Sequence, residues 1–231
     1  MSFQVKVEKF ISKPATDVFR ALSEGLLFMN CGADSRSMQL DFRVGGKYHF
    51  NFKRLKVSNF GEFLEIIPNK KIVFSWCQTF AVDQKPDSTV TVELFEDGPK
   101  TRLVLVHTGF INQQNTDNHK QGWSSIVPDF GEEMQNGRLR MLRKFDAPVE
   151  MLFDLCKKQE HFSALNISET VPNKKIVFSL KETKGTLTFD QKDNVSSLEI
   201  IHNGLETIKD RKAQRAVWEI LTENIAEIIK K

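Results

Sequence analysis

The 231 residues hold few side chains whose type and spacing suggest chemistry. His107 ends the apolar run "LVLVHTGF", two residues before Gly109, where it reads as a ligand anchor or a general base. His202 and Gly204 in "LEIIHNGL" answer that pair 95 residues on, and a twin of this kind points to a structural hydrogen bond shared by both places. His49 and His119 complete no HxH or HExxH pattern, so no metal site is expected. Cys31, Cys77 and Cys156 are odd in number and share no close spacing, which gives no disulfide framework and no thiolate metal site. Glu62 and Glu65 in "GEFLEI" lie three apart, so a regular strand points them to opposite faces. An inward one would be a general acid or base with a raised pKa, whereas a solvated edge charge is the plainer reading. Gly45–Gly46 reads as a tight turn without the Lys-Ser/Thr partner of a phosphate cradle. No Ser-His-Asp or Cys-His arrangement can be drawn, and no cofactor is expected.

Aromatic residues are the stronger signal. Fourteen of the 19 phenylalanines fall before residue 137. In "KYHFNFK", alternation puts Tyr48, Phe50 and Phe52 on one strand face and Lys47, His49 and Asn51 on the other. Phe50, Phe52, Phe63, Phe74, Trp76 and Trp123, with His107 as a polar anchor, are the candidate lining of an apolar ligand pocket. The same residues equally describe a packed core.

The elements that must position them occur twice. "PNKKIVFS" stands at 68–75 and, letter for letter, at 172–179, which points to an internal repeat. Around it, "VKVEKFISKPATDVFRAL" is answered by "LRMLRKFDAPVEMLFDL", each an alternating strand followed by a proline and a short amphipathic helix. Phe19 answers Phe153, and Trp123 answers Trp218 near the start of a closing helix. The first closing helix buries Trp123, Ile126, Val127, Phe130 and Met134 by its spacing, and Pro128 interrupts its hydrogen bonding. The second carries the stripe Trp218, Leu221, Ile225 and Ile228.

The first copy reads β-α-(short helix)-β-β-β-β-β-β-α, with strands over Met38–Phe42, Lys47–Lys53, Asn59–Ile66, Ile72–Gln78, Thr89–Phe95 and Arg102–Thr108. The expected fold is α+β: an antiparallel sheet gripping a long C-terminal helix, with a hollow between them. Residues 1–136 form the complete domain. Residues 137–231 form a truncated repeat lacking about three strands, with four strands and two helices left, a solid module that packs on the first copy or mediates self-association.

Charge adds exclusions. Residues 1–136 carry 16 basic and 16 acidic side chains, and the remainder 17 and 14, with no basic stripe. Nucleic-acid binding is not expected. No apolar run is long enough to cross a bilayer. The opening "MSFQVKVEKF" alternates like a strand and lacks a secretory layout, so a cytoplasmic protein is expected.

The ordered signals "KPATDVFRAL", "DFRVGGKY", "GEFLEIIPNKKIVFSW", "STVTVELFEDGPKTRLVLVHTGF" and "GW" resemble the homologues of the activator of heat-shock protein 90 ATPase, within the START-like (SRPBCC) helix-grip superfamily. The resemblance spans Ser2 to about Gln135 and, more weakly, the shortened copy. It implies the helix-grip fold and a non-catalytic function: binding a small hydrophobic or aromatic ligand, or acting beside a heat-shock protein 90-type chaperone in stress. The alternative it leaves open is a cyclase or hydrolase working in the helix-grip cavity. A homodimer is within the expected partners. One departure stands out: members place a tryptophan after the first helix, where this chain has "LLFMN", with Phe28 or Met29 in its place.

Overall fold

The computed structural model describes residues 3–33, 35–52, 57–79, 88–158 and 164–230. The chain divides into two compact units, Met1–Gln135 and Asn136–Lys231, one residue from the boundary read in the sequence.

The first unit runs β1 (Gln4–Ile11), α1 (Ala15–Ser23), α2 (Leu26–Asn30), β2 (Gln39–Leu40), β3 (Lys47–Phe52), β4 (Val57–Ile67), β5 (Lys71–Thr79), β6 (Ser88–Asp97), β7 (Lys100–Thr108) and α3 (Gln113–Asn136). Its seven strands pair antiparallel in the order β1-β7-β6-β5-β4-β3-β2. One face of the sheet is apolar: Phe50, Phe63, Phe74, Val90, Val92 and Leu105 are all buried. Trp123, Val127, Phe130 and Met134 of α3 are buried on the spacing the sequence shows, which lays this helix over the sheet. Residues after Asp41 turn at Gly45, whose positive φ of 76° suits glycine. Gly46 cannot carry a side chain there, because a Cβ would stand 2.0 Å from the Asp41 carbonyl oxygen.

The second unit runs β8 (Leu139–Phe145), α4 (Val149–Lys157), β9 (Asn166–Val171), β10 (Lys175–Leu180), β11 (Thr183–Lys192), β12 (Val195–Asn203) and α5 (Ile208–Ile229). Its sheet order, β8-β12-β11-β10-β9, matches β1-β7-β6-β5-β4 strand for strand. Among the described residues five strands are therefore present where the sequence reading counts four, and the difference from the first sheet is two strands, β2 and β3. The missed strand is β9, whose exposed, polar "NISETV" gives no apolar alternation. Trp218 and Ile225 of α5 enter a core with Leu139, Phe178, Leu187 and Ile200.

The repeated octapeptide builds the same local structure in both places. The Lys70 N–H donates to the Ile67 carbonyl and the Lys174 N–H to the Val171 carbonyl, both at 3.0 Å. Proline at the second position and asparagine at the third, with φ of 62° (Asn69) and 57° (Asn173), make each a type II turn. The turn carbonyls of Lys70 and Lys174 each accept a 2.8 Å bond, from Leu94 and Phe189 respectively. Four residues ahead of each proline, a bulge interrupts the ladder, at Leu64 in β4 and Ser168 in β9. The repeated letters thus encode a turn and a core strand. They carry no site.

Candidate functional site

The interior of the first unit collects the aromatic candidates into one cluster. Phe74 lies 6.1 Å from Phe63 and 6.4 Å from Trp76 between ring centroids, and Phe50 lies 6.2 Å from Trp76. Trp76 continues the cluster to Trp123 at 5.3 Å and to His107 at 5.9 Å. Phe52 belongs to β3, and its side chain lies outside the described residues. Two rings at the centre of the cluster are ones the sequence does not single out as lining. Phe28 from α2 stacks on Tyr48 at 4.7 Å and reaches Phe50 at 5.1 Å and Phe74 at 5.5 Å. Tyr48 was legible from its parity with Phe50, whereas Phe28 comes from a helix with no strand partner to fix its direction.

Phe28 fills the middle of the expected hollow. A void lined by Leu22, Leu27, Phe42, Phe63 and Ile72, among others, offers about 10 Å³ to the centre of a water-sized sphere. That is room for roughly one water molecule. The short helix α2 closes this interior with Leu26, Leu27, Phe28 and Met29 all buried. Glycines with positive φ, Gly25 and Gly32, flank it. Asn30 Nδ2 donates to Leu26 O at 3.1 Å and to Glu133 Oε2 of α3 at 2.6 Å, which ties the plug to the long helix.

His107 is fully enclosed and bonded on both nitrogens. Trp123 Nε1–H donates to His107 Nδ1 at 3.0 Å, so the neutral ring carries its proton on Nε2 and donates to Ser88 Oγ at 3.0 Å. Ser88 Oγ–H passes on to the Trp76 carbonyl at 3.0 Å. The second unit repeats the relay: Trp218 Nε1–H to His202 Nδ1 at 3.2 Å, His202 Nε2–H to Thr183 Oγ1 at 2.6 Å, and Thr183 Oγ1–H to the Leu180 carbonyl at 2.7 Å. Burial, with a smaller effect of His119, lowers the His107 pKa to about 3, and burial lowers that of His202 to about 4. Neither ring has a free nitrogen to offer a substrate.

The remaining candidates separate. The bulge at Leu64 cancels the parity argument for Glu62 and Glu65. Glu62 N–H meets Ser75 Oγ, while Glu65 pairs with Val73 and bridges Lys71 at 2.7 Å, so both carboxylates lie on the outer face. The Gly45 and Gly46 N–H groups donate to the carbonyls of Phe63 and Arg43, and so are spent within the protein. Burial pushes the Cys156 thiol up to about 12 and raises that of Cys31, which makes neither a nucleophile. Among the described residues no three His, Cys, Asp or Glu side chains gather as metal ligands, and no helix is long and apolar enough to cross a membrane.

One polar feature of this interior is not among the residues singled out from the sequence. Asn59 of β4 is 0% exposed, and neither its Oδ1 nor its Nδ2 has a hydrogen-bonding partner among the described residues. The Trp76 Nε1–H, also buried, is in the same position. A buried unsatisfied polar group destabilises by about 1–3 kcal/mol, so two of them on one apolar face are conspicuous. Alternation from Phe63 back through Gly61 to Asn59 was the signal that places this amide inside.

Comparison with known proteins agrees with this architecture. No curated protein matches the sequence significantly. Among solved structures, DynU16, a protein in the dynemicin biosynthetic locus, shares 13% identity over 99% of this chain and 100% of its own, with a TM-score of 0.51. The HSP90 activator PFC0360w from Plasmodium falciparum is 25% identical over 57% of this chain and 94% of its own (TM-score 0.45), and the Aha1 dimer from Colwellia psychrerythraea is 12% identical over 57% and 96% (TM-score 0.49). The sequence model for activator of Hsp90 ATPase homolog 1-like proteins matches residues 12–134, from the end of β1 almost to the end of α3. With over half its length inside that match, the chain belongs to the family of activator of Hsp90 ATPase homolog 1-like proteins.

Proposed function

We propose that the chain is a non-catalytic binding protein whose first unit takes up a small hydrophobic or aromatic molecule beneath α2. The observation that carries this reading is the continuous ring cluster from Phe63 to Trp123, closed by one five-residue helix between two glycines. Entry beneath α2 requires Phe28 to move aside, because the void described beside it takes about one water. The non-catalytic part rests on the bonded His107 and on Glu62 and Glu65, which face outward; a cyclase or hydrolase would need one of these groups free inside. The second unit, in this reading, is a solid module arisen by duplication of the first, supported by the shared strand order, turn and histidine relay.

The test is a titration of the full chain with aromatic and fatty-acid compounds, read by tryptophan fluorescence and native mass spectrometry. Stoichiometric binding with changed Trp76 or Trp123 emission is the expected result. No binding by any compound overturns the reading. A second reading, association with an Hsp90-type chaperone in the cytoplasm, is supported by family membership. Co-precipitation with that chaperone and stimulation of its ATPase are its expected signs, and failure of both removes it.

A further inference from the structure

Asn59 and Trp76 occupy neighbouring places on the inner face of the sheet. Phe50 pairs directly with Asn59 across β3 and β4, so the two share a face, and the Phe50 ring packs against Trp76. Asn59 faces Gln78 in β5, two residues beyond Trp76, which makes Asn59 and Trp76 diagonal neighbours. Between them they present the amide oxygen, two amide hydrogens and the indole N–H, none paired among the described residues. Two other polar groups of this cluster are spent: Tyr48 Oη–H donates to Ser75 O at 2.8 Å, and the His107 ring is bonded at both ends.

We infer that Asn59 and Trp76 form a polar anchor that selects, among aromatic ligands, those carrying a hydroxyl group. A hydroxyl meets both needs at once. Its hydrogen goes to Asn59 Oδ1, and its oxygen accepts from the Trp76 indole N–H, with the ring of the ligand lying among Phe50, Phe74 and Trp123. An apolar ligand of the same shape leaves all of these groups buried and unpaired, so discrimination comes mostly from what the wrong ligand fails to satisfy. This inference rests on the interior-binding reading above and adds the chemical class of the ligand.

Naphthol and methylnaphthalene, which exchange a hydroxyl for a methyl group, are the probes, titrated calorimetrically into the full chain. Naphthol is expected to bind about tenfold tighter or more. The preference should vanish in Asn59→Leu and shrink in Trp76→Phe, which deletes the indole donor and keeps an aromatic ring. Asn59→Leu should also melt no lower than the parent, since it loses no bond within the chain. Equal binding of the two probes overturns the anchor and leaves the binding site standing. Binding of neither overturns both. A preference that survives Asn59→Leu, or a crystal structure of the naphthol complex in which a water and not the hydroxyl bridges Asn59 and Trp76, overturns the anchor alone. Should Asn59→Leu fail to fold, the amide has a structural partner and the inference also falls.

Discussion

The two units share their wiring and differ in what fills them. Both place a histidine on the strand before the closing helix, clamp it between a tryptophan and a hydroxyl, and pack an aromatic ring against the pair. In the first unit that ring is Trp76, 5.9 Å from His107 and 5.3 Å from Trp123. In the second it is Phe178, 5.3 Å from His202 and 5.4 Å from Trp218. Phe178 reaches the pair because Gly185 stands opposite: a Cβ there would lie 2.2 Å from the phenylalanine ring. Val90 holds the corresponding place in the first unit, opposite Phe74. The lesson is that the histidine relay belongs to the scaffold, whereas Tyr48 and Phe50 come from β3, which has no counterpart among the described residues of the second unit.

Substitutions can break that contrast or sharpen it. The largest effect is expected from Phe28→Ala, which should destabilise the first unit by about 3–5 kcal/mol through loss of a buried ring and the cavity left behind. Urea denaturation checks this. Added indole or toluene should restore part of the loss, as the new cavity is apolar. Phe178→Ala should be equally severe in the second unit.

Next comes acid. Each buried histidine is neutral when folded and takes a proton near pH 6.5 when unfolded, so its contribution is complete above about pH 6.5 and is lost progressively down to pH values of about 3 (His107) and about 4 (His202). The expected loss is on the order of 1–2 kcal/mol per histidine between pH 6.5 and 5. His107→Gln should flatten this limb for the first unit only, as seen in melting temperature against pH. Ser88→Ala and Thr183→Val remove the same link of the relay in the two units and should each lower stability by about 1 kcal/mol. The smallest effects belong to Glu65→Gln and Glu169→Gln. These break twin 2.7 Å ion pairs with Lys71 and Lys175 on half-exposed surfaces, and should change stability by about 1 kcal/mol or less.

Much of the scaffold was legible from local pattern. The order of elements in the first copy, the closing helix stripe and the His–Trp twins follow from periodicity and repetition, because each reports a burial that is continuous along one element. What escaped depends on single residues that interrupt a period. One bulge residue, Leu64, turns Glu65 to the same side as Glu62. The polar edge strand β9 shows no apolar face to detect. Phe28 enters the cluster from a five-residue helix too short for its own periodicity to aim it. The clustering of Phe50, Phe63, Phe74, Trp76 and Trp123 was thus visible as a set, while its closed packing and the lack of a partner for the Asn59 amide required coordinates.

The octapeptide common to β5 and β10 has a further consequence for biogenesis. A nascent chain carries two interchangeable strands, each able to form the same Pro-Asn turn and to present Ile, Phe and Ser at the same pitch. Order of synthesis works in favour of correct assembly, since the first sheet can close before the second copy leaves the ribosome. Refolding from denaturant removes that protection and lets either strand compete for either vacancy. Once in place, the residue after the octapeptide tells the strands apart: Trp76 packs on His107 and Trp123 in the first sheet, whereas Leu180 holds that position in β10.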